Sequence, residues 1–335
     1  MRKIYYACLN ILLGALFIIL SSCGEKALIA TELLTQADSL FKADDYEQAQ
    51  AIYEKAAASA ISEKNNSVLT EAYSQVARCY ILAKDLDQGR QWLAKAEKIA
   101  DPNQPEGWAR FLGVKGRLEW QAEAVRTGEF SPVVKQAADT FKEMYDYCLA
   151  HKLYSQAIDA AHMVAIVSDM DDRIEWGLKG IKAAEEGNIT GWLGPLWNNH
   201  GWNLDETGKY DQALEALLKA REYHYLSDNE MAKLIADWSV GHAFRMVGQL
   251  DTARAWITDV YNRAASRYED SPSGENAEWV GFANKELGEI ALALNQKSEA
   301  LEYFVIARAK LQEAGMPDWD NKDFEELGNK IDALK

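Results

Sequence analysis

The chain has 335 residues, 48% of them hydrophobic, and a formal charge of −16. That hydrophobic content is too high for a chain disordered by composition, and the excess of 52 acidic over 36 basic residues opposes non-specific attraction to nucleic acid or anionic lipid. The length is great for one compact core but ordinary for an array of helical pairs, which needs no common core.

At the N-terminus, Arg2 and Lys3 precede an uncharged stretch from Ile4 to Leu20, and Leu20-Ser21-Ser22-Cys23 follows. A short basic region, an apolar core and a small-residue cleavage site form an export signal. Leu at −3, small residues at −2 and −1 and Cys at +1 resemble the bacterial lipobox. The resemblance implies a signal peptide over residues 1–22, cleavage before Cys23 and acyl chains on that cysteine. An uncleaved anchor is the alternative, since about 17 apolar residues approach the minimum for a span. Cleavage would remove two basic residues, leaving 34 against 52 acids and a charge of −18. Residues 23–26 are then the lipidated cysteine and a tether, Gly24-Glu25-Lys26, reaching about 10 Å and holding the first repeat near the bilayer. Gly24, in place of Asp after the cysteine, resembles outer-membrane sorting. The expected location is the bacterial cell envelope, at the outer membrane, facing periplasm or cell surface.

From Ala27 onward apolar residues recur at helical spacing, and no sustained alternation indicates a sheet. The six prolines fall where the helical pattern restarts. Leu33, Ala37 and Leu40 mark a first helix, with Tyr46, Ala49, Tyr53 and Ala56 on the next, and Asp44-Asp45 supplies an N-cap. A second pair carries Tyr73, Ala77 and Tyr80, then Leu86, Gly89, Leu93 and Ala96, closed by Asp101-Pro102. In a third pair, Leu112 and Gly116 are separated from Val134, Ala137, Phe141 and Met144 by an insertion around Arg126-Thr127-Gly128-Glu129. Ser131-Pro132 is placed to start the later helix, a cap followed by proline at the first helical position. A fourth pair holds Ala161, Ala165, Ile174, Gly177, Ile181 and Ala184. The fifth is the clearest: Trp197, Gly201 and Leu204, a turn at Gly208, then Tyr210, Ala213, Leu217 and Ala220. Small residues on both helices predict close backbone approach, small against small. The sixth and seventh pairs hold Gly241, Phe244, Leu250, Ala253, Ile257 and Val260, then Leu287, Gly288, Ala300, Phe304 and Ala307. Residues Trp319 to Lys335 place Phe324, Leu327, Ile331 and Leu334 on one stripe, a capping helix.

This succession of large and small positions resembles the tetratricopeptide repeat. The small second-helix position recurs at 49, 89, 137, 177, 213, 253 and 300, steps longer than the usual ~34 residues and so suggesting extended helices. The resemblance implies an all-α fold over residues 27–335, an α-solenoid of about seven helical hairpins plus a C-terminal capping helix.

Signals for chemistry are sparse. The five histidines form no HExxH motif, and there is no CxxC, GxGxxG or GxSxG. Ser39-Leu40-Phe41-Lys42 and Ser227-Asp228-Asn229 match two elements of penicillin-binding sites, but the third is missing; Ser39 lies in a repeat helix, and the second triplet reads as a turn and cap. Cys79 and Cys148 lie in different repeats and read as buried small hydrophobes. Paired carboxylates are expected on solvated faces of so acidic a chain. No metal, cofactor or enzymatic activity is expected.

What the resemblance does imply is a concave groove lined from the first helix of each repeat. Residue by residue, it selects Arg78, Arg110, Arg117 and Trp120, then His162, Asn198, Trp202, Trp238, His242, Arg245, Lys285 and Glu289. Arg and Trp are common interface anchors, and Arg binds carboxylates bidentately. The lysine/asparagine clamp of chaperone-tail-binding members is not reproduced around Asn198. The expected function is a membrane-anchored interaction scaffold whose partners are other envelope proteins, with the membrane reached through the N-terminal lipid and no nucleic acid bound. A glycan- or small-ligand-binding lipoprotein, using the eleven tryptophans, and a sensor module are the alternatives.

Overall fold

The computed structural model describes residues 29–129 and 132–335. The export signal, Cys23, the tether, Ala27 and Ser131 lie outside the described residues. These contain sixteen α-helices, one 3₁₀ turn and no strand, and divide into two compact units, up to Ala122 and from Glu123.

The first unit holds α1 (Ala30–Lys42), α2 (Tyr46–Glu63), α3 (Asn66–Leu82), α4 (Leu86–Glu97) and most of α5 (Pro105–Thr127). Asp45, Asn65 and Asp85 cap α2, α3 and α4, each accepting a backbone N–H three residues on. Just before each cap, Asp44, Lys64 and Lys84 take left-handed backbone conformations with φ of 60°, 56° and 62°, which reverses the chain in two or three residues. The core interleaves Leu34 and Ala37 of α1, Ala49, Tyr53 and Ala56 of α2, and Val68, Ala72 and Val76 of α3.

The second unit holds α6 (Lys135–Ala150), α7 (Tyr154–Val167), α8 (Met170–Glu186), α9 (Leu193–Glu206), α10 (Tyr210–His224), α11 (Glu230–Met246), α12 (Leu250–Asp270), α13 (Gly274–Ala293), α14 (Lys297–Glu313), a single turn α15 (Met316–Trp319) and α16 (Asn321–Leu334). From α6 to α14 each helix packs on the next, and α9 also touches α11, which touches α13. First helices of successive repeats therefore form a continuous row. Asn229 caps α11, as the reading of Ser227-Asp228-Asn229 as turn and cap requires. Phe324, Leu327 and Ile331 of α16 bury against Phe304, Ala307 and Leu311 of α14, the expected capping helix.

Two expectations are amended by the structure. Small residues on paired helices do approach one another, a Cβ on Gly201 lying 3.4 Å from the Ala213 carbonyl oxygen and one on Gly89 3.4 Å from that of Ala77, but the tightest contacts are with large side chains. A Cβ on Gly201 would lie 2.6 Å from Leu217, one on Gly241 2.5 Å from Ile257, and one on Gly288 2.5 Å from Phe304. Each glycine makes room for the large residue sixteen positions later, and that offset fixes the register of the hairpin. Gly288→Val should therefore cost about 1–3 kcal/mol through overpacking, because Phe304 is fully buried and cannot swing away. Urea unfolding of variant and wild type measures this, and a difference below about 0.5 kcal/mol would refute the tight fit.

The second correction concerns the third repeat. Its later helix starts at Lys135 rather than at Pro132. The Val134 N–H donates to the carbonyl of Val167 at 2.9 Å, holding Val134 extended beside the end of α7. Much of the apparent insertion is absorbed by α5, which runs to Thr127 and ends at Gly128 with φ of 76°.

Cys79 and Cys148 are free and buried. Burial pushes both thiols up to about 12, so they are packing groups rather than nucleophiles.

Candidate partner-binding face

In the first unit, Arg110 of α5 donates to Asp38 of α1 at 2.9 Å and lies 3.6 Å from Glu71 of α3. The Tyr53 hydroxyl donates to the other Asp38 oxygen at 2.6 Å and accepts from Gln75 at 2.8 Å. Burial pushes Glu71 up to about 7 against the opposing pull of Arg110. Arg110 is thus held inside a network joining four helices. Arg78 lies 4.6 Å above the Phe41 ring. Arg117 donates to the Gly113 carbonyl, and the Trp120 indole N–H is buried without a hydrogen-bond acceptor.

In the second unit, four of the selected residues come together on the row of first helices. Trp202 of α9 and Trp238 of α11 stack with centroids 5.6 Å apart and planes at 23°. His242, one turn after Trp238, lies 4.8 Å from the Trp202 ring. Phe282 of α13 continues the row 5.8 Å from Trp238, and Trp319 follows 6.5 Å from Phe282 with 52% of its surface exposed. Trp202, Trp238 and Phe282 are partly exposed, so one aromatic ridge crosses three repeats and ends at the cap.

Charges brace this ridge. The His242 ring nitrogens face Asp205 at 3.4 Å and Glu286 at 3.3 Å, and Arg245 donates to Glu286. Burial works against an imidazolium, but hydrogen bonds to Asp205 and Glu286 prevail and raise His242 to about 9. Burial likewise opposes an ionised Glu286, yet His242 and Arg245 hold it down at about 2. Both groups are charged at neutral pH. Lys285 and Glu289 are bound to Asp323 and Lys330 of α16, where they fasten the cap.

His162 and Trp202 line a solvent-open cleft between α7, α8 and α9 that encloses about 250 Å³. Arg173, Trp176, Asn199, His200 and Asn203 complete its polar and aromatic lining. Asn198 is partly buried outside this lining, and its carbonyl oxygen lacks a donor. A projection restricted to first helices could not select Arg173, which sits at the start of a second helix. Nor could it reveal Asp205 and Glu286, because their partners belong to neighbouring repeats. Among the described residues no cluster of His, Cys, Asp and Glu is arranged to hold a metal ion.

Residues 194–223 match the family described as Tetratricopeptide repeat, a segment that coincides with the α9–α10 hairpin. Comparison with curated proteins gives no sequence match. Among solved structures, a Signal Transduction ATPase with Numerous Domains protein with a tetratricopeptide repeat sensor from Pyrococcus horikoshii aligns with a TM-score of 0.65 at 13% identity. The alignment covers 90% of this chain and 44% of that one, so the chain spans less than half of that protein. The C-terminal part of a TPR repeat-containing protein from Cytophaga hutchinsonii gives 0.50 at 15% identity, covering 88% and 98%. The apo form of RapI gives 0.51 at 13% identity, covering 84% and 98%. At such identities the likeness is one of fold.

Proposed function

We propose that this tetratricopeptide-repeat protein is a lipid-anchored scaffold of the bacterial cell envelope, holding a segment of a partner protein against the aromatic ridge of its second unit. A fold of this kind serves protein interaction or regulation rather than one particular chemistry. The ridge Trp202–Trp238–Phe282–Trp319 carries the reading. Three of its rings come from successive first helices and are partly exposed, Trp319 follows from the turn before the cap, and His242, against Trp202 and Trp238, is held by Asp205 and Glu286. Aromatic side chains held rigid before binding lose little entropy on contact, which is the property of interface anchors.

The anchoring half of the proposal rests on the N-terminal sequence ending in Cys23. Among the described residues no helix is long and apolar enough to cross a membrane.

The glycan alternative is less well supported by the ring geometry. A sugar platform needs a free aromatic face. Trp202 and Trp238 cover one another, while Lys95, Lys179 and Lys219 lie 3.4, 3.8 and 4.3 Å over Trp92, Trp176 and Trp197.

Replacing Cys23 with Ser should move the protein from the membrane to the soluble fraction, and retention at the membrane would remove the lipid anchor from the proposal. In crosslinking capture from envelope extracts, Trp238→Ala with Phe282→Ala should lose the specific partners of the wild type while α-helical circular dichroism is preserved. Unchanged capture by the folded variant would refute the ridge as the binding face.

A further inference from the structure

The cleft between α7, α8 and α9 is lined by no carboxylate, in a chain whose acidic residues outnumber its basic ones by 52 to 36. Its one strong cation is Arg173. The Arg173 Nε donates to the Ser168 carbonyl at 3.1 Å, which steadies the guanidinium at the end of α7 and uses one of its five N–H donors. Of the acids beside it, Asp169 caps α8 and Asp172 pairs with Lys142 at 2.8 Å. Among the described residues no carboxylate pairs with Arg173. Asn199 and Asn203 add amides one helical turn apart on α9, and Trp202 adds an indole. His200, only 5% exposed, lacks a partner for its Nδ1.

We propose that this cleft binds a carboxylate joined to an apolar or aromatic group, the chemistry of a peptide's C-terminal residue. Arg173 forks the carboxylate, the Asn199 and Asn203 amides add hydrogen bonds, and Trp202 packs on the apolar part. At about 250 Å³ the site falls below the ~300–1,000 Å³ of drug-sized pockets, which suits a single residue or a small acid and not a helix. Burial, with smaller contributions from Lys209 and Lys219, pushes the His200 pKa down, so its ring enters as a neutral hydrogen-bonding group. Trp202 also belongs to the ridge, and a peptide lying there can end in the cleft. The proposal rests on the partner-binding reading only for that source of the carboxylate.

The test titrates the purified full chain with N-acetylphenylalanine, with its amide, and with a pentapeptide ending in a free phenylalanine carboxylate, following tryptophan fluorescence and calorimetry. Saturable binding of the free acids, at least about tenfold tighter than the amide, is expected. Arg173→Gln should weaken acid binding about tenfold or more. Should loss of the Ser168 contact unfold that variant, Asn203→Asp places a negative charge in the cleft at a partly exposed helical position and should produce the same loss. Binding of the small acid without the pentapeptide supports the site and assigns it to a small-molecule source. Binding of both assigns it to a peptide terminus. Equal binding of acid and amide, no saturable binding, or folded variants with wild-type affinity each overturn the proposal. The Trp238→Ala, Phe282→Ala variant keeps every lining residue, so it separates failure of the ridge from failure of the cleft.

Discussion

Replacing Glu286 with Gln is expected to destabilise the second unit by about 3 kcal/mol, with a dependence on pH that identifies the cause. Glu286 side-chain exposure is 5%, and its carboxylate neutralises both His242 and Arg245. The amide leaves two cations facing Asp205 alone. Breaking a buried ion pair from one side costs ~3–5 kcal/mol, and the lower end applies because His242 can release its proton. In the wild type His242 is raised from 6.5 to about 9. Its contribution is complete below pH 6.5 and is lost as pH rises through about 9. Glu286 is lowered from 4.5 to about 2, so its contribution is complete above pH 4.5 and is lost as pH falls through about 2. The difference between wild type and Glu286→Gln should therefore be greatest between pH 4.5 and 6.5 and shrink on either side. Above pH 9 it falls to what Arg245 alone retains. Urea titrations across this range provide the measurement, and comparing the two proteins cancels the response of the other acids. A difference that does not fall as pH rises from 6.5 through about 9 would mean that His242 carries no proton in the cluster.

The same cluster shows what could and could not be read from the chain. Repeat phase was legible because it is local. Gly201 with Leu217 and Gly241 with Ile257 lie within single hairpins, and the caps at Asp45 and Asn229 are read a few residues at a time. The phase also brought Trp202, Trp238, His242 and Arg245 to one face, since first helices of successive repeats adjoin. Their charge state was not legible. Arg245 and Glu286 are 41 residues apart, and Arg110 and Asp38 are 72 apart. In a strongly acidic chain most carboxylates are solvated, so composition gave no reason to single out Glu71, Asp237 or Glu286. All three are buried, because pairs assembled across helices take them out of water. The start of α6 was missed for a related reason: the Ser131-Pro132 signal is local, whereas the bond from Val134 to Val167 crosses to another helix. The tryptophan count likewise suggested sugar stacking, and only the positions of Lys95, Lys179 and Lys219 show how many ring faces are covered.

Asp237→Ala is expected to be comparably disruptive, by about 2–4 kcal/mol, without touching the ridge. Asp237 is 2% exposed and lies on α11 between two helices that bring cations to it. Arg221 of α10 donates to one carboxylate oxygen at 2.5 Å, while Arg263 of α12 and the Tyr225 hydroxyl donate to the other, each at 2.5 Å. Alanine removes every acceptor at once and leaves two guanidinium groups side by side. Their side chains are 31% and 34% exposed, so they recover part of their hydration, and the estimate is set below that for a fully enclosed pair. Asp237→Asn keeps an acceptor but not the charge, and should fall between wild type and alanine. Burial first, then the bond to Asp237, raises the Tyr225 hydroxyl above its usual value. An ultraviolet titration should find it lower in Asp237→Asn. Asp237→Leu combined with Arg221→Met and Arg263→Met replaces the ions by apolar packing and should recover most of the loss. If Asp237→Ala unfolds within about 0.5 kcal/mol of wild type, the three donors do not depend on this carboxylate, and apolar packing alone joins α10, α11 and α12.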